Sequence, residues 1–350
     1  MIQVNCIGLG HWGPNLVRCL KSSQRVRIGT VCDLDPNRMD LVRRNIFGSF
    51  CTSSDSMATA TDPACQAVVI STPASAHFQL AKAALTCGKH VLVEKPLAES
   101  VSECEELAAL AQKRGVILCV GHVFLFNHGI RYIKQLIDKN ELGRVRYVFA
   151  ERTNLGPFRN DVNALWDLGA HDISIFNYWF DSDPSAVTAF GMSYLNPDVE
   201  DVVVANLTYP GQIMACMYVS WLNPQKVREI TVVGTRKSAV WNDMDLDAPV
   251  RIFDKSVDVE KSTPYSDSFV SFRMQVRSGD VVIPMIPRGA PLDAEVTHFL
   301  DCIEGKAQPL NDGACGSRVV RTLVAASESM KNRSLLRPVI TEVPALRYAA

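Results

Sequence analysis

Two short motifs contain the ionisable side chains best suited to acid–base chemistry. Lys95 directly follows an apolar run typical of a buried β-strand, and such strands in α/β sheets end at a cleft. Asp167 and His171 are four residues apart, so they share one face if the segment is helical. An imidazole can accept a hydroxyl proton near neutral pH, and an ammonium can stabilise the oxygen anion that develops. The pattern therefore indicates proton transfer from a hydroxyl, although either motif alone is more often a solvated surface feature.

A glycine motif near the N-terminus predicts a dinucleotide site. Gly8, Gly10 and Gly13 follow a strand-like run and precede a helical one, a setting in which a pyrophosphate can approach a helix N-terminus closely. Asp33 lies 20 residues beyond Gly13, where a carboxylate can accept hydrogen bonds from the adenosine ribose. Because a carboxylate there would repel the 2′-phosphate of NADP, NAD is the predicted cofactor, and Arg38 is the residue that leaves NADP open.

The order of the elements predicts an α/β protein in two parts. Up to about residue 122, strand-like and helical stretches alternate, which is typical of a doubly wound parallel Rossmann sheet. Later strand patterns follow one another with turn signals between them, interrupted by a helical pattern around Asp167. We therefore expect an NAD-binding Rossmann domain at 1–122. We expect an α+β domain with a large, mostly antiparallel sheet at 123–350, for substrate binding and oligomerisation.

Bulk composition narrows the range of partners. The 350 residues carry 36 Lys and Arg against 37 Asp and Glu, a net charge of −1, with no long basic run. Nucleic acid and anionic membranes are therefore not expected as partners. The N-terminus lacks the features of a signal peptide, and no stretch is long enough to span a membrane, which predicts a cytoplasmic protein. The 11 Cys include no C-x-x-C pair, so we expect reduced thiols and no metal site.

Three motifs of the chain also occur together in one known enzyme family. They are Gly8-x-Gly10-x-x-Gly13, Glu94-Lys95-Pro96 and Asp167-x-x-x-His171. In this combination they resemble the glucose–fructose oxidoreductase, inositol dehydrogenase and rhizopine catabolism family (Gfo/Idh/MocA), and the resemblance extends over essentially the whole chain. Members are mostly NAD(P)-dependent oxidoreductases of sugars and cyclitols. The resemblance implies that Lys95 and His171 lie at the reacting carbon, with Asp167 as the partner of the histidine or of a substrate hydroxyl.

Longer stretches narrow the resemblance within this family. These stretches are GHWGPNLVR, VGHVFLFNHGIR, RTNLGPFRNDVNALWDLGAHDIS and VSWLNPQKVREITVVGT. They are similar to the bacterial UDP-N-acetylglucosaminuronate 3-dehydrogenases, which implies oxidation of the 3-hydroxyl of a nucleotide sugar to a 3-keto sugar. His11 and Ala170 depart from that group, in which we expect Tyr at the first position and Pro near the second. The exact sugar therefore stays open.

Three other functions also stay open. The first is a dehydrogenase of an aminoglycoside or of another free sugar or cyclitol. The second is a reductase of a 3-keto sugar. The third is a non-catalytic sensor of sugar and NAD on the same fold. Asp33 argues against a reductase that uses NADPH. The presence of both Lys95 and His171 argues against a sensor.

Further site residues are predicted around these motifs. Besides the glycines and Asp33, the expected cofactor contacts are His11, Trp12, Thr72, Pro73, His77 and Glu94. A nucleotide sugar is anionic, so we expect amide and guanidinium donors in the loop before the helix of Asp167, in addition to substrate contacts from Lys95, Asp167 and His171. The predicted donors are Asn154, Arg159 and Asn163.

The apolar pattern of the later strands predicts self-association. A sheet with one face uncovered by helices exposes more apolar surface than a monomer usually carries. Members of the family commonly pair these faces. We therefore expect a homodimer or homotetramer.

Overall fold

The first part of the chain forms a parallel sheet in the computed structural model, which describes residues 1–46, 49–259 and 274–332. Its strands are β1 (Ile2–Ile7), β2 (Val26–Cys32), β3 (Cys51–Ser53), β4 (Ala67–Ile70), β5 (His90–Val93) and β6 (Leu118–Val120). Their spatial order is β3-β2-β1-β4-β5-β6, and every neighbouring pair is parallel. The order reverses at β1, and open α/β sheets bind ligands at such a reversal.

Five helices connect these strands and pack on the two faces of the sheet. They are α1 (Gly13–Ser22), α2 (Pro36–Asn45), α3 (Ser56–Thr61), α4 (Ala74–Thr86) and α5 (Val101–Arg114). Because two apolar cores lie on opposite faces, β4 is buried at every position. The predicted limits of α5 are confirmed: the Ser100 hydroxyl accepts a hydrogen bond from the Glu103 N–H at 3.3 Å, and Gly115 ends the helix with a φ of 66°.

The second part of the chain forms a mixed sheet and a short ribbon. The strands are β7 (Val145–Leu155), β8 (Ala186–Met192), β9 (Val202–Tyr209), β10 (Ile213–Ser220), β11 (Leu222–Gly234), β12 (Ser238–Asn242), β13 (Val250–Phe253), β14 (Ser256–Val259), β15 (Met274–Arg277) and β16 (Val281–Val282). The sheet has the order β16-β13-β12-β11-β7-β10-β9-β8, and β14 pairs with β15 separately. Within the sheet only β7 and β10 run parallel, so the expected large, mostly antiparallel sheet is confirmed.

Four longer helices and three short turns complete the described structure. They are a 3₁₀ turn (Val123–Phe126), α6 (His128–Asp138), a π-helical turn (Leu165–Gly169), α7 (Ala170–Phe180), a 3₁₀ turn (Pro210–Gln212), α8 (Pro291–Ile303) and α9 (Gly313–Asn332). Helix α9 lies between the two sheets, since Val320 belongs to a core of the first sheet while Val319 and Leu323 belong to that of the second. The boundary predicted between residues 122 and 123 stays a prediction. None of the helices in the described ranges is both long and apolar enough to cross a bilayer.

One face of the second sheet is covered by none of the helices in the described ranges. Strand β9 alternates buried and exposed residues, as expected for a sheet that is covered on one side. Cross-strand neighbours on the open face include Tyr147 with Met214 and Val204 with Phe190, and all four are at least 40% exposed. This face is therefore an apolar surface available for association.

Candidate active site

A deep cleft of about 1350 Å³ lies between the carboxyl ends of the first sheet and the adjoining strands β7 and β11 of the second. Its walls include Gly10 and Asp33 from the first part, and Asp167 and His171 from the second. Pockets for a single small ligand usually measure about 300–1000 Å³. The cleft therefore has room for a dinucleotide together with a second molecule.

The glycine turn at one end of the cleft fits the pyrophosphate of a dinucleotide. A Cβ atom on Gly8, whose φ is 94°, would lie 2.6 Å from the backbone of Ser71, and one on Gly13 would overlap the carbonyl oxygen of Gly8. Gly10 differs, because the nearest atom to a Cβ there would be the Arg38 Nη1 at 3.8 Å. Trp12 gives the N-terminus of α1 no side-chain cap, so backbone N–H groups and the helix dipole face an incoming anion.

Asp33 lies at the end of β2, where it is fixed by the backbone. Its carboxylate accepts hydrogen bonds from the N–H of Leu9 at 2.6 Å and of Asp35 at 2.9 Å. The Nη1 of Arg38 lies 3.9 Å from Asp33 Oδ2, and its side chain is 52% exposed. The carboxylate that would accept the ribose hydroxyls thus has a mobile cation beside it.

Lys95 follows β5, and its ammonium is held by Asp167. Its Nζ donates to the Asp167 carbonyl oxygen at 2.7 Å and to Oδ1 at 2.9 Å. The Nη1 of Arg159 lies 3.3 Å from the same Oδ1, and the indole N–H of Trp221 donates to Oδ2 at 3.3 Å. Burial raises the pKa of Asp167, but the Lys95 ammonium and the other partners lower it by more. The pKa therefore lies below its usual range. The ion pair therefore persists at neutral pH.

The segment of Asp167 and His171 is not a uniform α-helix. Asp167 belongs to the π-helical turn Leu165–Gly169, and His171 lies in the first turn of α7. Both side chains still line the cleft, as predicted. Among the described residues, however, no hydrogen bond joins them: Asp167 contacts Lys95 and not the imidazole, and the other expected partner of Asp167, a substrate hydroxyl, stays a prediction. A single π turn within a helix is frequently a feature of functional sites.

His171 faces a strongly cationic and desolvated environment. Burial lowers its pKa well below the ordinary value, and the charges of Lys95, Arg152 and Arg228 lower it further. Its Nδ1 is buried without a hydrogen-bond partner in the described structure, and its ring packs edge-on against Phe124 at 5.0 Å. The imidazole is therefore neutral near pH 7 and can accept a proton.

The carboxyl groups of Glu94, which lines the cleft, and of Glu295 both have raised pKa values. Burial raises the pKa of Glu94 to about 7, while the Lys95 ammonium opposes the shift. A Cβ on Gly121 would lie 2.9 Å from Glu94 Oε2, so the glycine makes room for this side chain. Burial raises the pKa of Glu295 well above its usual value, and the charge of Glu94 adds to the effect.

Most of the predicted cofactor and substrate residues line the cleft. Those that do are Gly8, Gly10, His11, Trp12, Asp33, Thr72, Pro73, Glu94, Lys95, Asn154, Arg159, Asp167 and His171. Gly13, His77 and Asn163 do not. Gly13 is buried in the turn, and the His77 ring nitrogens lie 2.7 Å from the Pro96 carbonyl oxygen and 2.9 Å from that of Thr72, so His77 supports the wall from behind.

In the loop that was predicted to hold the anionic part of a substrate, the polar side chains mainly form hydrogen bonds with other groups of the protein. Asn163 accepts a hydrogen bond from the Trp166 N–H and donates to Glu200, so it begins the π turn instead of facing the cleft. Asn154 donates to the carbonyl oxygen of Gly156. Arg159 pairs with Asp161 through two hydrogen bonds of 2.9 and 2.6 Å.

Three cationic residues of the cleft were missed by the sequence reasoning. They are Arg152 on β7 and Lys226 and Arg228 on β11. The signal available in the sequence was the spacing of two between the last pair, which places both on one face of a strand.

Two family models match the chain. One, described as "Oxidoreductase family, NAD-binding Rossmann fold", matches residues 2–122, and the other, "GFO/IDH/MocA C-terminal domain", matches residues 130–240.

Individual proteins are also similar to the chain, at 22–27% sequence identity. The UDP-N-acetylglucosamine 3-dehydrogenase of Acidithiobacillus ferrooxidans is 27% identical over 323 residues, covering 91% of this chain and 94% of its own. Its solved structure superposes with a TM-score of 0.78, at 23% identity and 95% and 98% coverage. The structure of GenD2 from gentamicin A biosynthesis, in complex with NAD, has a TM-score of 0.77 at 22% identity, covering 95% of each chain. The NADP⁺-dependent scyllo-inositol 2-dehydrogenase IolW of Bacillus subtilis is 26% identical, covering 78% of each chain.

Proposed function

This chain belongs to the Gfo/Idh/MocA family of oxidoreductases with an NAD-binding Rossmann fold, and we propose that it is an NAD-dependent dehydrogenase of a nucleotide sugar. The reaction is oxidation of a secondary hydroxyl, at the 3-position of a sugar such as UDP-N-acetylglucosaminuronate, to a 3-keto sugar. The observation that carries the proposal is the Lys95 ammonium, held by Asp167 in a cleft that also contains His171 and the glycine turn.

The roles of the residues follow from their charge states. The neutral His171 accepts the proton of the sugar hydroxyl, and Lys95 donates a hydrogen bond to the same oxygen as negative charge develops on it. Asp167 fixes the direction of the ammonium. Gly8, Gly10 and the start of α1 hold the cofactor pyrophosphate, and Asp33 holds the ribose. Bound NAD supplies the acceptor for the hydride that leaves the sugar carbon.

The charge of the cleft supports an anionic substrate. Six cationic residues line it, against four acidic ones. The cations are Arg38, Lys95, Arg152, Arg159, Lys226 and Arg228, and the acids are Asp33, Asp35, Glu94 and Asp167. Three of these cations also pair with carboxylates outside the lining, Asp161, Asp172 and Asp243. The cationic charge left for a substrate therefore lies mainly on β11, and it favours a sugar with a diphosphate or carboxylate over a polycationic aminoglycoside. The 3-dehydrogenase of A. ferrooxidans, whose named substrate is a UDP-sugar, points in the same direction.

A substrate panel tests the proposal. The protein is supplied with NAD and, in separate reactions, UDP-N-acetylglucosaminuronate, UDP-N-acetylglucosamine, sugar phosphates, inositols and free sugars. NADH absorbance and product mass are both followed, because a cofactor recycled within the site gives product without net NADH. Turnover of UDP-sugars alone supports the proposal. Turnover of free sugars or inositols alone replaces it with the free-sugar dehydrogenase, and reduction of a 3-keto sugar with no oxidation replaces it with the reductase.

We also propose that the open face of the second sheet joins two copies of the chain in a homodimer or homotetramer. The support is the set of exposed apolar residues on four strands of this face, including Phe149 and Phe190, which are 45% and 52% exposed. A monomeric mass by light scattering at micromolar concentration would contradict this proposal. The variant Phe149→Asp should shift the wild-type mass towards the monomer.

A further inference from the structure

Strand β11 presents a row of side chains to the cleft. Pro224, Lys226 and Arg228 all line it, although the pairing of β11 with β7 is irregular between Leu222 and Val227. The neighbouring strand β7 contributes Arg152 and Asn154. The two paired strands thus form a wall of the cleft that carries three cations.

The cations of the cleft differ in how far carboxylates already neutralise them. Arg152 is buried in a two-point pair with Asp172, with hydrogen bonds of 3.1 and 2.7 Å to Oδ1. Lys95 and Arg159 share Asp167. Lys226 is exposed to the cleft and has no carboxylate within 4.0 Å in the part of the chain that the structure describes. The least neutralised charge of the cleft therefore lies on β11.

Only one of the Arg228 guanidinium nitrogens donates a hydrogen bond to another described residue. Its Nη1 donates to Asp243 at 3.1 Å, while Nε and Nη2 donate to no group within the described ranges. A guanidinium with two donors left can bind a carboxylate or phosphate through a pair of parallel hydrogen bonds.

The register of the strands adds an energetic argument. Arg228 lies directly opposite Arg152 in the β7–β11 pairing, and both guanidinium groups lie over the ring of Phe124, at 5.8 and 4.4 Å from its centre. Like charges directly opposite each other destabilise a sheet. Asp172 and Asp243 already offset part of this repulsion, and an anion bound beside Arg228 would offset more of it. Because the ring of His171 also packs on Phe124, such an anion would lie beside the reacting part of the sugar.

We propose that Lys226 and Arg228 form an anion-binding subsite that holds the charged substituent of the sugar, a carboxylate or a phosphate. The inference rests on the proposed function, since it names the group by which that substrate is recognised. It moves the anion site from the Arg159 loop, where the sequence predicted it, to strand β11. Lys226 is a specificity-determining residue, whereas proton transfer belongs to Lys95 and His171.

The variant Lys226→Met tests the subsite with four substrates that separate the two anions. UDP-N-acetylglucosaminuronate has a diphosphate and a carboxylate, UDP-N-acetylglucosamine only the diphosphate, N-acetylglucosaminuronate only the carboxylate, and N-acetylglucosamine neither. Losing a charge-assisted contact should raise KM roughly ten- to a hundredfold for sugars that bear the recognised anion, with kcat changed by less than about threefold. A rise for both UDP-sugars identifies the phosphate, and a rise only for the two uronates identifies the carboxylate.

The control is Lys113→Met, which removes an exposed lysine from α5. Arg228→Gln is a second variant, and its melting temperature shows whether the loss of the Asp243 pair has disturbed the fold. An unchanged KM for every anionic sugar in both folded β11 variants overturns the subsite.

Equilibrium binding separates this inference from the proposed function. Calorimetry with the NADH-loaded protein measures the affinity for the same four sugars without requiring turnover. If the wild type binds anionic sugars but oxidises none, and Lys226→Met weakens binding, the proposed function fails and the subsite stands. If the wild type oxidises a UDP-sugar and neither β11 variant weakens binding, the subsite alone fails. If the wild type binds no anionic sugar, the subsite is also overturned.

Discussion

The two halves of the cleft are built from different parts of the polypeptide. At the glycine turn the surface is mainly backbone, formed by Gly8, Gly10 and the uncapped start of α1, with Asp33 as a fixed carboxylate. On the side of the second sheet the surface consists of charged side chains, such as Arg152 and Arg228, each paired with a carboxylate from a neighbouring element.

This difference predicts opposite sensitivities to substitution. A backbone surface is damaged by added atoms, because an extra Cβ fills the space that the ligand needs. A surface of paired charges is damaged by removed atoms, because each deletion leaves a buried partner uncompensated. Lys95 and Glu94 lie where the two halves meet, so these positions should be sensitive both to added and to removed atoms.

The largest effect is expected from deletion at that junction. Lys95→Met should lower kcat roughly a hundred- to ten-thousandfold while NAD affinity stays within about threefold, since the ammonium acts on the reacting oxygen. His171→Asn should give a loss of the same order, about a hundredfold or more. Steady-state kinetics and calorimetry with NAD make the comparison, with Lys82→Met, a surface lysine paired with Glu106, as the control. If both Lys95→Met and His171→Asn retain turnover, Lys95 and His171 are structural and not catalytic residues.

The second prediction compares two glycines of the backbone half. Gly10→Ala should keep the wild-type melting temperature, because the nearest protein atom to its Cβ is 3.8 Å away, yet it should weaken NAD binding at least about tenfold. Gly13→Ala should lower the melting temperature as well, since its Cβ overlaps the Gly8 carbonyl oxygen. Differential scanning fluorimetry and NAD titration separate the two effects. Equal NAD affinity in Gly10→Ala and wild type would show that the pyrophosphate does not approach this turn.

The third prediction concerns Asp33, the carboxylate expected to hold the ribose in the backbone half. Asp33→Ser removes the charge that repels a 2′-phosphate and leaves Arg38 with one carboxylate partner, Asp35, at 3.6 Å, so the preference for NAD over NADP should fall about tenfold or more. Adding Arg38→Ala should reverse the gain in NADP affinity. Dissociation constants for both cofactors provide the measurement. If the wild type already binds NADPH more tightly than NADH, the interpretation of Asp33 is wrong.

The smallest expected effect is on stability. The pKa of Glu295 is raised in the folded protein, so the folded state keeps a proton that the unfolded chain releases above its ordinary pKa of about 4.5. Wild-type stability is therefore lost as pH rises from that value towards the folded pKa, and Glu295→Gln escapes this loss. Its advantage in melting temperature should grow by a few degrees between pH 5 and pH 8. The exposed Glu99→Gln should show no such trend, and a constant difference in Glu295→Gln would contradict the argument.

The predicted fold was confirmed, the roles of the site residues stay predictions, and the contacts within the cleft were not predicted. The alternation of strands and helices, the cap at Ser100 and the stop at Gly115 follow from local rules. Asn163 and His77 were predicted in the site because they neighbour its motifs. In the structure, however, Asn163 donates a hydrogen bond to Glu200. The ring nitrogens of His77 lie within hydrogen-bond distance of the Thr72 and Pro96 carbonyl oxygens. Neighbourhood in sequence does not decide which way a side chain faces.

The sequence by itself determined the features that depend on short spacings. The glycine turn and the carboxylate at the end of the next strand follow from residue types within a strand, turn and helix, whereas the grouping of Lys95 with Asp167 and His171 was implied by the family resemblance. The tertiary structure alone decided that Asp167 holds Lys95 instead of His171, and that Lys226 and Arg228 reach the same cleft. The physical reason is that a charge pairs with whatever the packing brings within a few ångströms. Here, the partners come from β5, a π-helical turn and β11, and the register between those elements is fixed by the folded cores and not by any local pattern.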